Sequence, residues 1–156
     1  MSNTGIRGYY LVTNTIKEQL LKDVNVNEVT SGDISQVNLQ KQNIFPLAHI
    51  MVNNVTIGEQ TLTFNVSVMG MDIVNTSKQE TVDIFRGNDN HQDILNTQLS
   101  VINEVVQLLS RGDLYTDGFQ LDGEPNAEPF VDRFENQLAG WSVTMDIIIR
   151  NDISIC

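Results

Sequence analysis

The chain has 156 residues, of which 40% are hydrophobic and 19% are charged. This length and balance are typical of one globular domain with its own core, and they exclude a disordered chain. Nine lysines and arginines face twenty acidic residues, which gives a formal net charge of −11. A surface with this charge repels phosphates, so we do not expect the chain to read a DNA or RNA sequence. A negative surface can nevertheless line a passage through which nucleic acid slides without sticking.

The single cysteine, Cys156, excludes a disulfide within the chain and therefore a cystine-stapled secreted scaffold. We expect its thiol to be inert. The first residues, MSNTGIRGYYLVTNTIKEQL, lack the apolar core of a signal peptide, and no stretch approaches the roughly 18 apolar residues of a membrane span. We therefore expect a protein that is made and used in a cytoplasm and has no membrane partner.

The first predicted element is a helix over residues 9–22. Tyr9, Ile16 and Leu20 fall near one face of this helix, which can bury one apolar stripe. The following residues, 24–43, are polar and rich in turn formers, so they predict an exposed hairpin or an irregular loop.

Two strands are predicted next. The sequence FPLAHIMV, residues 45–52, opens with a proline, which suits the first residue of a strand or an edge. A turn at residues 58–60 separates it from TLTFNVSVMGMDIV, residues 61–74. Strict alternation in the second strand predicts one covered face and one wetter face, and the two strands together predict an antiparallel pair. The alternating apolar residues are Leu62, Phe64, Val66 and Val68.

A polar segment, residues 75–90, contains a possible short strand at 81–85 and leads into the second helix. That helix is predicted over residues 92–111, with Gly112 in the position of a C-cap. Its apolar residues recur at helical spacing: Leu95, Leu99, Ile102, Val106 and Leu109.

Residues 114–137 are predicted as a loop with a short strand at 119–121. The chain then ends on a long strand pattern, in which Trp141 is expected to pack in the core or beneath a helix. This strand is too apolar for an exposed edge, which would aggregate, so we expect it inside the sheet. Its alternating apolar residues are Trp141, Val143, Met145, Ile147 and Ile149.

The order helix, strand pair, helix, strand predicts an α+β fold: a mostly antiparallel sheet with two main helices packed on one face. No linker divides the chain, so we predict a single domain over residues 1–156 with long loops at about 24–43 and 75–90. Loops of this length tend to be functional or disordered.

Catalytic motifs are missing from the sequence. It has two histidines, His49 and His91, and none of the HExxH, CxxC, GxSxG or phosphate-cradling glycine patterns. We therefore predict no enzyme, no catalytic residues and no cofactor. A small ligand-binding or enzymatic domain remains an alternative, and His49 beside a buried carboxylate in a concave pocket would favour it.

Acidic residues are abundant after the second helix: Asp113, Asp117, Asp122 and Glu124. Oxygen ligands of this kind can hold Ca²⁺, but the spacing fits no calcium-loop pattern. We predict a solvated acidic loop and no metal site. The same prediction applies to Asp83, Asp89 and Asp93.

Aromatic residues in polar, loop-like stretches are the candidates for a binding surface. Phe85, Phe130 and Phe134 are either satellite packing or contact points for a partner. We predict the second, and we include Arg86 and Asp89 next to Phe85 in the interface.

The order of elements resembles that of the tail terminator or tail-completion proteins of tailed bacteriophages. The likeness rests on the strand that opens with proline, the helical sequence Ile102-Asn103-Glu104-Val105-Val106 and the following acidic loop. It also rests on the terminal strand from Leu138 to Ile147, LAGWSVTMDI. The likeness spans nearly the whole chain.

The resemblance implies a non-enzymatic protein of the virion, in the tail or neck, that is assembled in the host cytoplasm. Such proteins form a ring, commonly of six subunits, that caps the tail tube and joins it to head-completion or connector proteins. DNA passes through the lumen without sequence-specific binding, and negative charge would keep the ring from gripping it. A ring contact is heterologous, so the two contacting patches of a subunit differ. The other alternative is an acidic adaptor or inhibitor that binds a basic protein. Salt would weaken that binding.

Overall fold

A computed structural model describes residues 8–32, 45–73, 91–112, 118–133 and 138–151. Within these ranges the chain forms two helices and five strands. In chain order they are α1 (Gly8–Leu21), β1 (Glu28–Ser31), β2 (Leu47–Ile57), β3 (Thr61–Ile73), α2 (His91–Arg111), β4 (Gln120–Arg133) and β5 (Leu138–Arg150).

The five strands form one sheet in the order β1-β2-β3-β5-β4. β1 runs parallel to β2, and the other three pairings are antiparallel. The predicted α+β class and mostly antiparallel sheet are therefore confirmed. The prediction that the terminal strand lies inside the sheet is also confirmed, because β5 pairs with β3 on one side and β4 on the other.

The hairpin of β2 and β3 turns at the predicted residues. The amide of Gly58 donates to the carbonyl of Thr61 at 2.9 Å, which closes the turn. Asn151, directly after β5, holds the same turn from the other side, since its amide donates to Gln60 O and its side chain to Gly58 O. The β2–β3 register shifts once, between Val52 and Asn54.

The main core cluster joins both helices to the sheet. Val12, Ile16 and Leu20 of α1 are buried in it, which confirms the predicted buried stripe at Ile16 and Leu20, whereas Tyr9 is exposed. The alternating apolar residues of β3 and β5 supply the other side of the cluster, because every second side chain of a strand points to the same face. The further members from α2, β3 and β5 are Val101, Ile102, Val105, Leu109, Leu62, Phe64, Val66, Val68, Val143, Met145, Ile147 and Ile149.

The tightest approach in the sheet lies where Gly70 of β3 faces β5. A side chain at Gly140 would collide with the Gly70 carbonyl oxygen, and one at Gly70 would collide with the side chain of Gln98 on α2. Trp141, the register partner of Gly70, donates its indole N–H to the carbonyl of Leu95 on α2 at 2.7 Å. The prediction that Trp141 packs beneath a helix is confirmed.

A second apolar cluster occupies one end of the sheet. It contains Phe45, Leu47, Met69, Met71, Phe130 and Leu138. Met69 and Met71 alternate with the residues of β3 that face the main cluster, so this second cluster lies on the opposite face of the sheet.

Two loop predictions are wrong in part. Residues 28–31, inside the predicted loop 24–43, form β1, which is too short and polar to show a strand period. Residues 120–133, inside the predicted loop 114–137, form β4. The short strand predicted at 119–121 overlaps only its start, because two prolines and a glycine hide the rest of the strand. The rest of the predicted loop 24–43 from residue 33 onward, the predicted loop 75–90 and the possible strand at 81–85 lie outside the described residues.

Candidate functional site

Most of the predicted interface lies outside the described residues: Phe85, Arg86, Asp89 and Phe134. Phe130 is described, and it is not in a loop. It lies in β4, is only 9% exposed and packs in the second apolar cluster with Phe45 and Leu47. The loop prediction is wrong at this position, whereas the role of Phe130 as a partner contact stays a prediction.

The predicted acidic loop is also partly a strand. Asp122 and Glu124 lie in β4 with exposed side chains, whereas Asp113 and Asp117 lie outside the described residues. Asp93 is exposed in the first turn of α2, where a negative charge suits the helix dipole. Across the described ranges, no group of three or more His, Cys, Asp or Glu side chains is placed to hold a metal ion.

His49 is fully buried in β2 and is held by β1. Its Nε2 lies 2.8 Å from the carbonyl oxygen of Gly32, and its Nδ1 lies 2.6 Å from the Thr30 hydroxyl. Because a carbonyl only accepts, Nε2 carries the proton, and in a neutral ring Nδ1 then accepts from Thr30. These contacts fasten the short parallel strand β1 to β2, which gives His49 a structural role.

Polar side chains form a connected network on the sheet face opposite the main core cluster. Asn53 donates from Nδ2 to Asn65 Oδ1 and to Ser67 Oγ, both at 2.9 Å. Asn65 donates in turn to Asp146 Oδ1 at 2.9 Å, and the hydroxyls of Ser67 and Thr144 lie 2.9 Å apart. These five residues, Asn53, Asn65, Ser67, Thr144 and Asp146, are called the polar network below.

β4 extends this surface with carboxylates. Its register places Asp122 opposite Asp146, and Glu128 opposite Ser142. Residues directly opposite each other point to the same face, so Asp122 and Glu128 stand beside the polar network, and both are exposed. The polar network together with Asp122, Asn126 and Glu128 is called the polar face below. The basic residues of the described strands, Arg133 and Arg150, are each the last residue of a strand.

β4 is the last strand of the described part of the sheet, and it is poorly suited to pairing with another strand. Pro125 and Pro129 have no amide hydrogen to donate, and Gly123 has a positive φ of 74°. The pairing of β4 with β5 shifts between Asp122 and Asn126 and again farther along. Prolines, bulges and charges are the features that protect an edge from unwanted strand addition.

A groove of about 590 Å³ lies between α2 and the irregular part of β4. Its floor is apolar, with Ile102 and Val143 buried, and Leu99 is 40% exposed at one end. The other lining residues are Asn103, Val106, Gln107, Ser110, Gly123, Glu124, Pro125 and Ala127.

Two carboxyl groups have a pKa above the ordinary value. Partial burial raises the pKa of Asp72 at the end of β3, although the hydrogen bond from the Ile73 amide opposes this shift. Glu104 on α2 has a raised pKa because of desolvation first and then its hydrogen bond and charge repulsion with Asp23. Glu104 is exposed, so its contact with Asp23 belongs to the surface between the two helices.

No protein-family model and no curated protein matches this chain. Neither described helix is long and apolar enough to cross a membrane.

Proposed function

We propose that this chain is a non-enzymatic structural protein of a tailed-bacteriophage virion. It forms a ring, of six subunits, at the end of the tail tube and joins the tube to head-completion or connector proteins. The polar face is the single observation that carries the proposal, because it offers an acidic wall that is ordered by hydrogen bonds. In the ring this wall lines the lumen through which DNA passes.

We infer that both helices pack on the same face of the sheet, so that neither helix covers the polar face. Support comes from the main core cluster, in which buried residues of α1 and α2 meet the same alternating side of β3 and β5. The residues between them, such as Ser67 and Thr144, point to the other side. Thr144, Asp122 and Glu128 are exposed there.

The chemistry of the polar face suits passage rather than binding. Asp122, Glu128 and Asp146 bring negative charge, which repels phosphate. The side-chain amides of Asn53 and Asn65 are groups that could contact phosphate oxygens. They already donate hydrogen bonds to Ser67, Asn65 and Asp146. DNA would therefore find few attachment points along this wall.

The ring is tested by native mass spectrometry or light scattering of the purified full chain across a concentration series, with and without tail tubes. We expect a discrete closed species of six subunits, alone or on the end of a tube. A monomer that persists at high concentration and never joins tubes would contradict the proposal.

The lumen is tested by reversing one charge. Asp122→Lys places one lysine per subunit on the polar face, so its ring should retain double-stranded DNA at low salt and release it as salt rises. Asp93→Lys on α2 changes the net charge equally but lies on the first turn of a helix, away from the proposed lumen. Equal DNA retention by the two variants would show that the polar face does not line the passage.

A further inference from the structure

The outward side of α1 carries a stripe of exposed residues. Tyr10, Asn14, Lys17 and Leu21 follow one another at spacings of four, three and four, so they lie along one line of the helix. Tyr10 is 72% exposed and Leu21 is 48% exposed. Large apolar side chains aligned on a helix surface mark a contact site more often than isolated ones do. These four residues are called the α1 stripe.

The α1 stripe and the groove lie at opposite edges of the sheet. Tyr10, Asn14 and Lys17 border β1, since they line a small cavity with Val29 and Thr30. Among the described strands, β1 lies at one edge of the sheet, and β4, which lines the groove, lies at the other. A contact between the two surfaces therefore joins different copies head to tail, which is the geometry that a ring requires.

The two surfaces also match in length and chemistry. The α1 stripe runs from Tyr10 to Leu21, and the α2 wall of the groove runs from Leu99 to Ser110, so both extend over the same number of residues. At a rise of 1.5 Å per residue each is about 16 Å long. Tyr10 and Leu21 offer apolar groups for the apolar floor of the groove.

The charges of the two surfaces are complementary. Lys17 is the basic residue of the α1 stripe, and Glu124 is the acidic residue of the groove, and both are exposed. In a chain with nine basic residues and twenty acidic ones, a lysine on the α1 stripe favours an acidic partner surface. The protected edge of β4 makes a contact through side chains more favourable than strand addition.

We propose that α1 of one copy lies in the groove between α2 and β4 of the next copy, with Lys17 paired to Glu124 of the partner. The contact is a helix in an apolar groove, and its occupant is a second copy of this chain. The inference rests on the proposed function in one respect, since the head-to-tail contact is what closes the ring.

Single substitutions on each surface test the contact. Tyr10→Glu on the α1 stripe and Leu99→Glu in the groove should each weaken assembly at least about tenfold in native mass measurements, because each places a charge in the apolar contact. Ile57→Glu is the matched control, since Ile57 at the end of β2 is an apolar residue that is 78% exposed and belongs to neither surface. Its assembly should equal that of the wild type.

A charge exchange tests the register of the contact without touching apolar groups. Lys17→Glu and Glu124→Lys should each weaken assembly, and the double variant should restore it. Both side chains are exposed, so the fold of each variant should persist, which far-UV circular dichroism checks.

The outcomes separate the contact from the ring. If the wild type forms a ring that Tyr10→Glu, Leu99→Glu and the charge exchange leave unchanged, the contact is wrong and the ring stands. If the wild type forms an open chain or another oligomer that these variants dissolve, the contact stands and the ring is wrong. If the wild type does not associate at any concentration, with or without tubes, both are wrong.

Discussion

The two faces of the sheet use neighbouring residues of the same strands in different ways. Val66 and Ile147 point to the main core cluster and are fully buried. Their chain neighbours Ser67 and Asp146 point to the polar face and belong to the polar network. Apolar burial stabilises the first face, and hydrogen bonds between side chains order the second.

This difference shows that side-chain hydrogen bonds can order a surface as well as apolar packing can. Burial of apolar area is non-directional and supplies most of the folding free energy. A hydrogen bond in the polar network adds about 1 kcal/mol net, but it fixes the direction of each side chain. The main core cluster therefore supplies most of the stability, and the polar face can present a fixed chemical pattern to a passing ligand.

The largest effect should come from the covered face. Ile147→Ala removes a fully buried side chain, and we expect a loss of about 3 kcal/mol in the free energy of unfolding from lost burial and the cavity that remains. Ile148→Ala is the matched control, because the adjacent isoleucine points to the opposite face and is only half-buried, so it should lose about 1 kcal/mol. Urea denaturation measures both, and equal losses would mean that the two faces are packed alike.

A smaller effect should come from the polar network. Ser67→Ala leaves the amide of Asn53 and the hydroxyl of Thr144 without this partner, so we expect a loss of about 1 kcal/mol. Thr63→Ala, four residues earlier on the same strand and face but outside the polar network, should lose less. A double-mutant cycle with Thr144→Val measures the coupling. Additive losses would show that the two hydroxyls do not interact.

The sequence predicted the helices and strands in which apolar residues recur at a regular spacing. Both helices and strands β2, β3 and β5 were predicted from apolar spacing, and the wetter face of β3 followed from the same alternation. β1 and β4 could not be predicted in this way, because β1 is four residues long and β4 is a strand by its pairing with β5 rather than by its own pattern.

The candidate site depends on contacts between residues that are far apart in the chain, and the spacing of residues in the sequence does not reveal such contacts. Asn65 meets Asp146 only because β3 pairs with β5, a contact between residues 81 positions apart. The groove requires β4 as one wall, so a prediction that treated residues 114–137 as a loop could not include it. The predicted contact residues were chosen mainly because they are aromatic. Of these, Phe130 packs in the second apolar cluster.

The smallest effect concerns the surface between the helices and depends on pH. The pKa of Glu104 is raised in the folded chain by desolvation and by Asp23, so folding favours the protonated carboxyl. That stabilisation is fully present below the unfolded pKa of 4.5 and is lost as pH rises through the raised folded pKa. At neutral pH the charged Glu104 therefore disfavours folding.

Replacing the carboxyl of Glu104 separates the effect of repulsion by Asp23 from the effect of the negative charge of the whole chain. Glu104→Gln should raise the free energy of unfolding at pH 7 by at most about 0.5 kcal/mol, because the pair is exposed and screened by solvent. The gain should shrink as pH falls through the raised pKa of Glu104, because the wild-type carboxyl then becomes protonated. Glu59→Gln, in the exposed turn between β2 and β3, changes the net charge equally and controls for long-range repulsion. If it gives the same gain with the same pH dependence, the acidity of the whole chain, and not Asp23, is the cause.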